Sequence, residues 1–118
     1  MLSSNGEKKI HSILKKHKVP FVEEYEFPDL ISTSGRHLRF DFAVFAPDGG
    51  IDFLIEYQGE QHYRSVSHFG GDRAAQRQRY NDSKKRSYCA LHGIKLVCIP
   101  YWDEDALSYD YIMKAAGY

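Results

Sequence analysis

The chain has 118 residues, of which 42% are hydrophobic and 14% aromatic, and its formal net charge is +0. This length and composition are typical of one globular domain with a single hydrophobic core, and they exclude a disordered chain. Because there is no net positive charge, a surface for nucleic acid would have to come from local clustering of basic residues.

The sequence predicts neither a secreted nor a membrane protein. Cys89 and Cys98, the two cysteines, are too few for a disulfide framework. No apolar run approaches the ~20 residues of a membrane span, and the N-terminus lacks the apolar segment of a secretory signal. We therefore expect an intracellular, cytoplasmic domain over residues 1–118, either a whole small protein or a module of a larger one.

The N-terminal segment has the pattern of a helix followed by a strand. Ser4 and Glu7 have the spacing of a capping box, and the helix is expected to stop before Pro20. Capping alone would explain Glu7, and an active-site role is compatible with capping only if its carboxylate points inward. Residues 21–27 alternate and predict a first strand, whereas the polar residues 28–37 predict a loop.

Two alternating runs flank the turn sequence Pro47-Asp48-Gly49-Gly50, a pattern typical of a β-hairpin. A loop centred between Asp48 and Gly49 places Asp41 opposite Glu56. A turn at Gly49-Gly50 places Asp41 opposite Gln58. In both registers Asp41, Glu56 and Gln58 share one face, because cross-strand partners share a face. The other face carries Phe40, Phe42, Val44, Phe53 and Ile55 among others, whereas Ala43, Phe45 and Leu54 share the face of the carboxylates.

Beyond the hairpin, the sequence predicts a helix, a buried strand and a last helix. Composition is helical from Arg73 to about His92, and residues 94–99 are nearly all apolar, as in a strand buried on both faces. Asp103 can cap a last helix through Ala116, whose inward-facing residues are expected to be Leu107, Tyr111, Ile112 and Ala115. The order αβββαβα, with a helix before the fourth strand, predicts an α/β fold with a mixed sheet.

The facing carboxylates of the hairpin suggest metal chemistry. Two such groups repel each other unless a cation lies between them, and a divalent metal bound by oxygen atoms would supply it. Asp41 and Glu56 are therefore the predicted metal ligands of a phosphodiester-cleaving site, since that reaction uses a hard cation held by carboxylates. Two solvated surface carboxylates are the alternative interpretation.

Two further residues could complete such a site. His62 follows the predicted strand by a few residues, and an imidazole, with its ordinary pKa of about 6.5, can deprotonate a water at neutral pH. Asp82 could orient His62 or help to hold the metal. Alternatively, Asp82 forms a pair with Arg86 or Gln78 on a solvated helix face.

The predicted helix after residue 72 could contact phosphates through its basic residues. They include Arg73, Arg77, Arg79, Lys84 and Lys85, with Asp82 the only acid among them. A solvated charged helix is the alternative. Tyr57, Tyr63 and Phe69 could stack on or wedge between bases, or could belong to the core.

Four segments carry a resemblance to a known family. They are Arg39-Phe40-Asp41-Phe42, Ile55-Glu56-Tyr57-Gln58-Gly59-Glu60-Gln61-His62, Asn81-Asp82-x-x-Lys85, and Gly93-Ile94-Lys95-Leu96 with Ile99-Pro100-Tyr101. In order and spacing they resemble the very-short-patch-repair endonuclease-like group of the PD-(D/E)XK restriction-endonuclease-like superfamily. The similarity is nearest to the phage homing-endonuclease branch, which has an EDxHD site, and it spans about residues 7–101.

This resemblance implies a restriction-endonuclease-like αβββαβ core with a C-terminal helix. It also implies a magnesium-dependent endonuclease acting on double-stranded DNA, in which Mn²⁺ can replace Mg²⁺. The first acid of the pattern falls on Glu7, its aspartate on Asp41, its variable position on Glu56 or Gln58, its histidine on His62 and its last aspartate on Asp82. His62 would activate the attacking water with assistance from Asp82. The chain departs from the superfamily at Gln58, where a lysine is usual, which fits a base role for His62.

Other functions are compatible with the same residues. They are a catalytically silent nucleic-acid-binding module, a repair nickase, and a metal hydrolase acting on RNA. Homing enzymes of this group carry separate DNA-recognition segments, and none is visible in residues 1–118. The chain is therefore expected to be a catalytic domain alone, from a phage or bacterial host. The sequence does not predict an oligomeric state.

Overall fold

The described part of the chain, residues 4–60 and 71–118 of a computed structural model, contains a four-stranded sheet and several helices. In chain order the elements are α1 (Asn5–Lys16), β1 (Phe21–Ile31), β2 (His37–Phe45), β3 (Ile51–Gln58), α2 (Gly71–Leu91), β4 (Lys95–Pro100), a 3₁₀ helix (Tyr101–Ala106) and α3 (Tyr109–Ala115). The strands lie in the order β1–β2–β3–β4. The β1–β2 and β2–β3 pairs are antiparallel, whereas β4 runs parallel to β3. The predicted α/β class with a mixed sheet is confirmed.

Two clusters of buried hydrophobic residues join the sheet to its helices. The first cluster links α1 and α3 to the sheet and contains Ile10, Leu14, Phe42, Val44, Phe53, Ile55, Val97, Ile99, Leu107, Ile112 and Ala116. The second cluster links α2 to the sheet and contains Leu30, Leu38, Phe40, Ala43, Leu54 and Cys89. Burial of these apolar side chains is the main favourable term in folding. It holds α1 and α2 against the hairpin of β2 and β3. None of the helices in the two described ranges is long and apolar enough to cross a membrane.

The predicted alternation along β2 is interrupted at Asp41. Phe42 and Val44 belong to the first cluster, but Phe40, which was predicted to share their face, belongs to the second. The paired strand β1 is irregular at the same level, because Glu24 has a φ of 52°, in the left-handed region that strand residues rarely adopt. A strict period of two requires continuous β backbone. The predicted common face is therefore wrong at Phe40.

The loop predicted over residues 28–37 is shorter in the structure. β1 continues through Pro28 to Ile31, and β2 already begins at His37. Proline is tolerated here because β1 is an edge strand, on which a missing N–H faces away from the sheet. The pairing register also shifts between Glu26 and Ile31. Leu30, predicted to lie in a loop, is consequently part of the buried core.

The single helix predicted from Asp103 through Ala116 is divided in two. The 3₁₀ helix ends first, and the Ser108 side chain then caps α3 by accepting a hydrogen bond from the backbone N–H of Tyr111 at 3.0 Å. Because α3 begins after Ser108 rather than after Asp103, the positions that face the core differ from those predicted. The buried residue at its end is Ala116 rather than the predicted Ala115.

Candidate functional site

The strands β2 and β3 separate from each other at the level of Asp41 and Glu56. Their pairing register includes Phe42 with Ile55 and goes no further in that direction. Beyond this point β2 remains paired to β1, and β3 to β4 through Gln58. Extending the register by one residue places Asp41 opposite Glu56. The predicted pairing of Asp41 with Glu56 is therefore confirmed, although the register shifts between Val44 and Phe45 near the turn. The two carboxylates lie where the sheet opens.

In this opening, carboxylate oxygens take the backbone hydrogen bonds that a continuous ladder would have made. The N–H of Tyr57 donates to Oδ2 of Asp41 at 2.7 Å. The N–H of Asp41 donates to Oε1 of Glu56 at 3.3 Å. Backbone N–H groups away from water require acceptors. Here a backbone N–H of each strand donates to the carboxylate that the facing strand carries. This exchange fixes both carboxylates side by side.

A cation from α2 lies against one of these acids. The Nζ atom of Lys85 is 3.1 Å from Oε1 of Glu56, and the two side chains are only 14% and 16% exposed. The same Nζ atom lies 5.3 Å from the centroid of the Phe40 ring, a cation–π distance. The sequence interpretation assigned Lys85 to DNA contacts and missed this pairing. Lys85 follows Asp82 by three residues and Gln78 by seven, so a helix places all three on one face. This spacing could have predicted that Lys85 faces the site.

Burial changes the protonation of both acids. It raises the pKa of Asp41 to about 6, an effect increased by the charge of Glu7 and opposed by the Tyr57 N–H and by Lys85. Burial also raises the pKa of Glu56 to about 7, although the ammonium of Lys85 opposes this shift. Removing a carboxylate from water disfavours its charged form. The pair therefore carries less negative charge near neutral pH than two exposed acids would.

The carboxylates line a cavity of about 1000 Å³ that receives residues from α1, from the hairpin and from α2. Five predicted catalytic residues line it together: Glu7, Asp41, Glu56, Gln58 and Asp82. The sixth, His62, lies outside the described residues. Gly59 and Glu60 also line the cavity, so the chain leaves β3 along its wall toward residue 61.

Glu7 both interacts with the N-cap residue of α1 and lines the cavity. The Ser4 hydroxyl accepts a hydrogen bond from the N–H of Glu7 at 3.1 Å and donates one to its Oε1 atom at 2.9 Å. Ser4 is thus the N-cap of α1. Because Glu7 also lines the cavity and repels the charge of Asp41, its carboxylate points inward as the active-site role requires.

Tyr57 holds the start of α1 beside the site. A Cβ atom placed on Gly6 would overlap the Tyr57 ring, so the helix packs directly on that ring. The Tyr57 hydroxyl donates to Oε1 of Glu104 at 3.1 Å, and Lys9 of α1 donates to the backbone carbonyl of Glu104 at 2.9 Å. Burial and the Glu104 bond raise the pKa of Tyr57 to about 12. Tyr57 therefore acts as a support for α1, whereas its predicted stacking on bases stays untested.

The predicted DNA-contact residues of α2 occupy different positions. Arg77 lines the cavity, as do the amides Gln78 and Asn81 on the same helix. Arg73 and Arg79 are exposed, and the Lys84 ammonium donates to the carbonyl of Ile31. Tyr63 and Phe69, the other proposed stacking residues, fall outside the described residues.

The donor set of the cavity fits a hard divalent cation. Within residues 4–60 and 71–118, no group of three or more histidine, cysteine, aspartate or glutamate side chains is arranged to hold a metal ion. However, Mg²⁺ in phosphate chemistry commonly takes one or two carboxylates and fills its other positions with water and substrate phosphates. Asp41 and Glu56 supply two adjacent carboxylates with oxygen donors of that kind.

Comparison with known proteins finds viral relatives. The chain is 32% identical over 96 residues to Uncharacterized protein 307L of Invertebrate iridescent virus 6, a match covering 77% of this chain and 49% of that protein. It is 46% identical over 78 residues to Uncharacterized protein 094L of Frog virus 3 (isolate Goorha), which covers 64% of this chain and 48% of the relative. The chain thus spans about half the length of these two curated relatives.

A third relative is Uncharacterized protein 033L of Invertebrate iridescent virus 3, 36% identical over 69 residues that cover 58% of this chain and 34% of the relative. No family model and no solved structure matches the chain. The names of the three relatives indicate a viral context but no activity. The predicted phage or bacterial host stays a prediction.

Proposed function

We propose that this chain is a metal-dependent DNA endonuclease domain with a restriction-endonuclease-like core. One observation carries the proposal: Asp41 and Glu56 lie opposite each other, half-buried, where β2 and β3 separate, and both line a wide cavity. Burying two acids together is unfavourable and is typical of sites where they bind a cation. The mixed sheet, with α1 and α2 packed on it, is compatible with this fold.

Asp41 and Glu56 would hold a Mg²⁺ ion, with Mn²⁺ as a replacement. When bound, such an ion polarises a phosphate and makes a water molecule more acidic. The protein positions the two acids through the hydrogen bonds that cross the strand opening. Because those bonds use backbone donors, the acids keep their relative position independently of flexible side chains.

Lys85 provides the positive charge that Gln58 cannot. Its ammonium is held between the Glu56 carboxylate and the Phe40 ring, at the wall of the cavity. A cation fixed in a poorly solvated site stabilises the negative charge that develops on a phosphate during hydrolysis. Gln58 and Asp82 line the same cavity and would bind the substrate or the attacking water.

His62 remains the proposed general base. The cavity wall includes Glu60, two residues before it in the chain. As the resemblance implies, the imidazole of His62 would accept a proton from the attacking water. Asp82 on α2 would orient it, as the resemblance implies.

The substrate proposed is double-stranded DNA. The cavity is open enough for a phosphodiester backbone, and Arg77 supplies a cation at its α2 side. Exposed Arg73 and Arg79 extend the positive charge along the same helix. Such clustering provides the local electrostatic attraction that the neutral net charge does not.

The direct test is nicking of supercoiled plasmid in Mg²⁺ by the wild type, Asp41→Asn and Glu56→Gln. We expect each substitution to lower the rate by about 100-fold or more, because both would remove a metal ligand. EDTA should abolish the wild-type activity. Asp105→Asn, which changes an exposed carboxylate that does not line the cavity, is the matched control. Equal activity in all four proteins would overturn the proposal.

A second candidate is a nucleic-acid-binding module without catalysis. The Lys85–Glu56 pair favours it, because the ammonium already neutralises one of the two acids without a metal. Such a module would bind DNA with an affinity that falls steeply with salt and would not cleave it in Mg²⁺ or Mn²⁺. Competition between DNA and RNA substrates separates both candidates from a hydrolase acting on RNA.

A further inference from the structure

A second, smaller cavity lies beside the carboxylate site. Its volume is about 240 Å³, and it is formed between the β1–β2 loop and α2. The loop contributes three consecutive hydroxyl residues, Ser32, Thr33 and Ser34, while the helix contributes Arg77 and Tyr80 among others. This volume is below the range of about 300–1,000 Å³ for drug-sized ligand sites, so the cavity suits a unit no larger than a single nucleotide.

The small cavity adjoins the large one and shares part of its lining. Arg77 and Asn81 line both cavities, one helical turn apart on the face of α2 that points toward the sheet opening. A strand that passes through the carboxylate site could therefore extend directly into the small cavity. Arg77, at the junction, could contact the phosphate between the two positions.

The loop side of the small cavity is held in place. The Ser32 N–H donates to the carbonyl of Arg36 at 2.8 Å, and the Gly35 N–H donates to the carbonyl of Ser32 at 3.0 Å. The hydroxyls of Ser32 and Ser34 are 2.8 Å apart and hydrogen-bonded. The ammonium of Lys84 on α2 binds the carbonyl of Ile31, which ties the loop to the helix. The hydroxyl groups are thus presented toward α2 rather than left on an open loop.

The chemistry of the lining is that of a nucleotide subsite. Hydroxyl groups and an arginine bind phosphate and sugar oxygens. Tyr80 is 49% exposed, and an exposed aromatic ring can stack on any base. Lys84 lies 5.8 Å from the centroid of that ring and adds positive charge beside it.

From this arrangement we infer that the small cavity binds one nucleotide of the substrate strand, adjacent to the phosphate that the carboxylate site cleaves. The position of this nucleotide relative to the cleaved phosphate rests on the proposed nuclease function, but binding of the nucleotide does not require catalysis. Tyr80 would stack on the base after that base has left the duplex, as in base flipping, while Arg77 and residues 32–34 would bind the backbone. Stacking is sequence-tolerant, so this subsite would add affinity without base specificity.

The test is equilibrium binding of a fluorescein-labelled DNA duplex, followed by anisotropy in EDTA so that no cleavage occurs. Tyr80→Ala should raise Kd about 5-fold or more, in line with the loss of one stacked base. Tyr80→Phe keeps the ring and should stay within about twofold of the wild type. Tyr118→Ala, which removes an exposed tyrosine that lines neither cavity, is the control.

Arg77→Ala should also weaken binding and flatten its salt dependence, because a phosphate contact is lost. Lys114→Ala is the matched control, since Lys114 is an exposed cation on α3 that lines neither cavity. If Tyr80→Ala and Arg77→Ala bind as tightly as their controls, the subsite does not exist. Thermal unfolding of each variant checks that the fold is kept.

Failure of the subsite and failure of the nuclease function give different results. Plasmid nicking that depends on Asp41 while Tyr80→Ala leaves Kd unchanged overturns only the subsite. Binding that depends on Tyr80 without nicking in Mg²⁺ or Mn²⁺ supports the subsite and overturns the nuclease function. If the wild type neither binds nor cleaves DNA, both are overturned.

Discussion

The Nζ atom of Lys85 lies 3.1 Å from Oε1 of Glu56, so that a helix supplies the counter-charge for an acid half-buried in the hairpin. This contact joins two parts of the chain that are 29 residues apart in sequence. The ammonium of Lys85 partly offsets the repulsion between the carboxylates of Asp41 and Glu56. It also brings a lysine to the site, whereas the position at which the resemblance leads us to expect a lysine is Gln58. The site therefore contains one fixed ammonium beside two carboxylates.

Lys85→Met should lower the nicking rate at neutral pH by about 100-fold. The substitution removes a charge that stabilises the developing negative charge on the phosphate. It should also raise the pKa of Glu56 further, since Lys85 opposes the effect of burial on that group. The pH profile of nicking is therefore expected to shift to higher pH. Rates measured over a series of pH values test both effects.

Arg86→Met is the control for this substitution, because it removes an exposed positive charge from the adjacent position of α2. Lys85→Arg, which keeps the charge, should retain part of the activity. A normal rate and an unshifted profile in Lys85→Met would show that the ammonium has no part in the reaction.

Stability should fall as the pH rises through the neutral range. The pKa values of Asp41 and Glu56 are raised to about 6 and about 7, above their ordinary values of 3.8 and 4.5. The folded chain therefore binds these protons more tightly than the unfolded chain does. That contribution is fully present below the ordinary pKa values, and it is lost as the pH rises from the ordinary to the raised values. Each group should contribute on the order of 2 kcal/mol to the difference.

Urea denaturation at about pH 5 and about pH 8 measures this difference. Asp41→Asn cannot ionise but can still accept the Tyr57 N–H, so its stability should exceed that of the wild type at the higher pH. Asp105→Asn should leave the pH dependence as it is. A wild type that is more stable at pH 8 than at pH 5 would contradict the raised pKa values.

The hairpin could be predicted from the sequence because local rules determine it. The turn residues at 47–50 and the period-2 runs limited the pairing to two registers, and both brought Asp41, Glu56 and Gln58 to one face. The structure selected the register with Asp41 opposite Glu56. Asp41, Glu56 and Gln58 line one cavity for this reason, whereas Glu7 and Asp82 line it because α1 and α2 pack on the sheet.

Features that depend on tertiary packing could not be predicted in this way. The left-handed φ at Glu24 accompanies the change of face at Phe40, and nothing in a glutamate or its neighbours indicates that conformation. Likewise, the extension of β1 through Pro28 requires knowing that β1 is at the edge of the sheet. The contact between Lys85 and Glu56 depends on how α2 packs on β3, which helix composition does not specify.

Divalent cations should stabilise the folded chain in a pH-dependent manner. At a Mg²⁺ or Mn²⁺ concentration ten times its Kd, binding should contribute about 1.4 kcal/mol, which corresponds to a rise of several degrees in Tm. The carboxyls must lose their protons to bind a metal, so the rise should be large above the raised pKa values and small below them. Thermal unfolding with and without the cation, at about pH 5 and at about pH 8, measures this rise in Tm.

In Asp41→Asn the cation should leave Tm nearly unchanged, whereas Asp105→Asn should respond as the wild type does. Because this measurement does not involve cleavage, it also distinguishes a metal-binding domain from a module that binds nucleic acid without a metal. An equal rise in Tm for wild type and Asp41→Asn would place any bound cation elsewhere.

Gly6→Ala should be destabilising, although alanine usually favours a helix by about 1 kcal/mol over glycine. The new Cβ would overlap the Tyr57 ring, which is held by its hydrogen bond to Glu104. Overpacking of this kind costs about 1–3 kcal/mol and should exceed the helical gain. Since α1 must move away from Tyr57, Glu7 should also shift from its place beside Asp41, and nicking should decrease.

Chemical denaturation and nicking assays of Gly6→Ala measure the two effects. Ser12→Ala, at an exposed position of α1, is the control and should change neither. Tyr57→Leu removes the overlap, so adding Gly6→Ala to that variant should be neutral or stabilising. If Gly6→Ala alone stabilises the chain as it would an exposed helix, then Tyr57 does not position α1, and the inward orientation of Glu7 must have another cause.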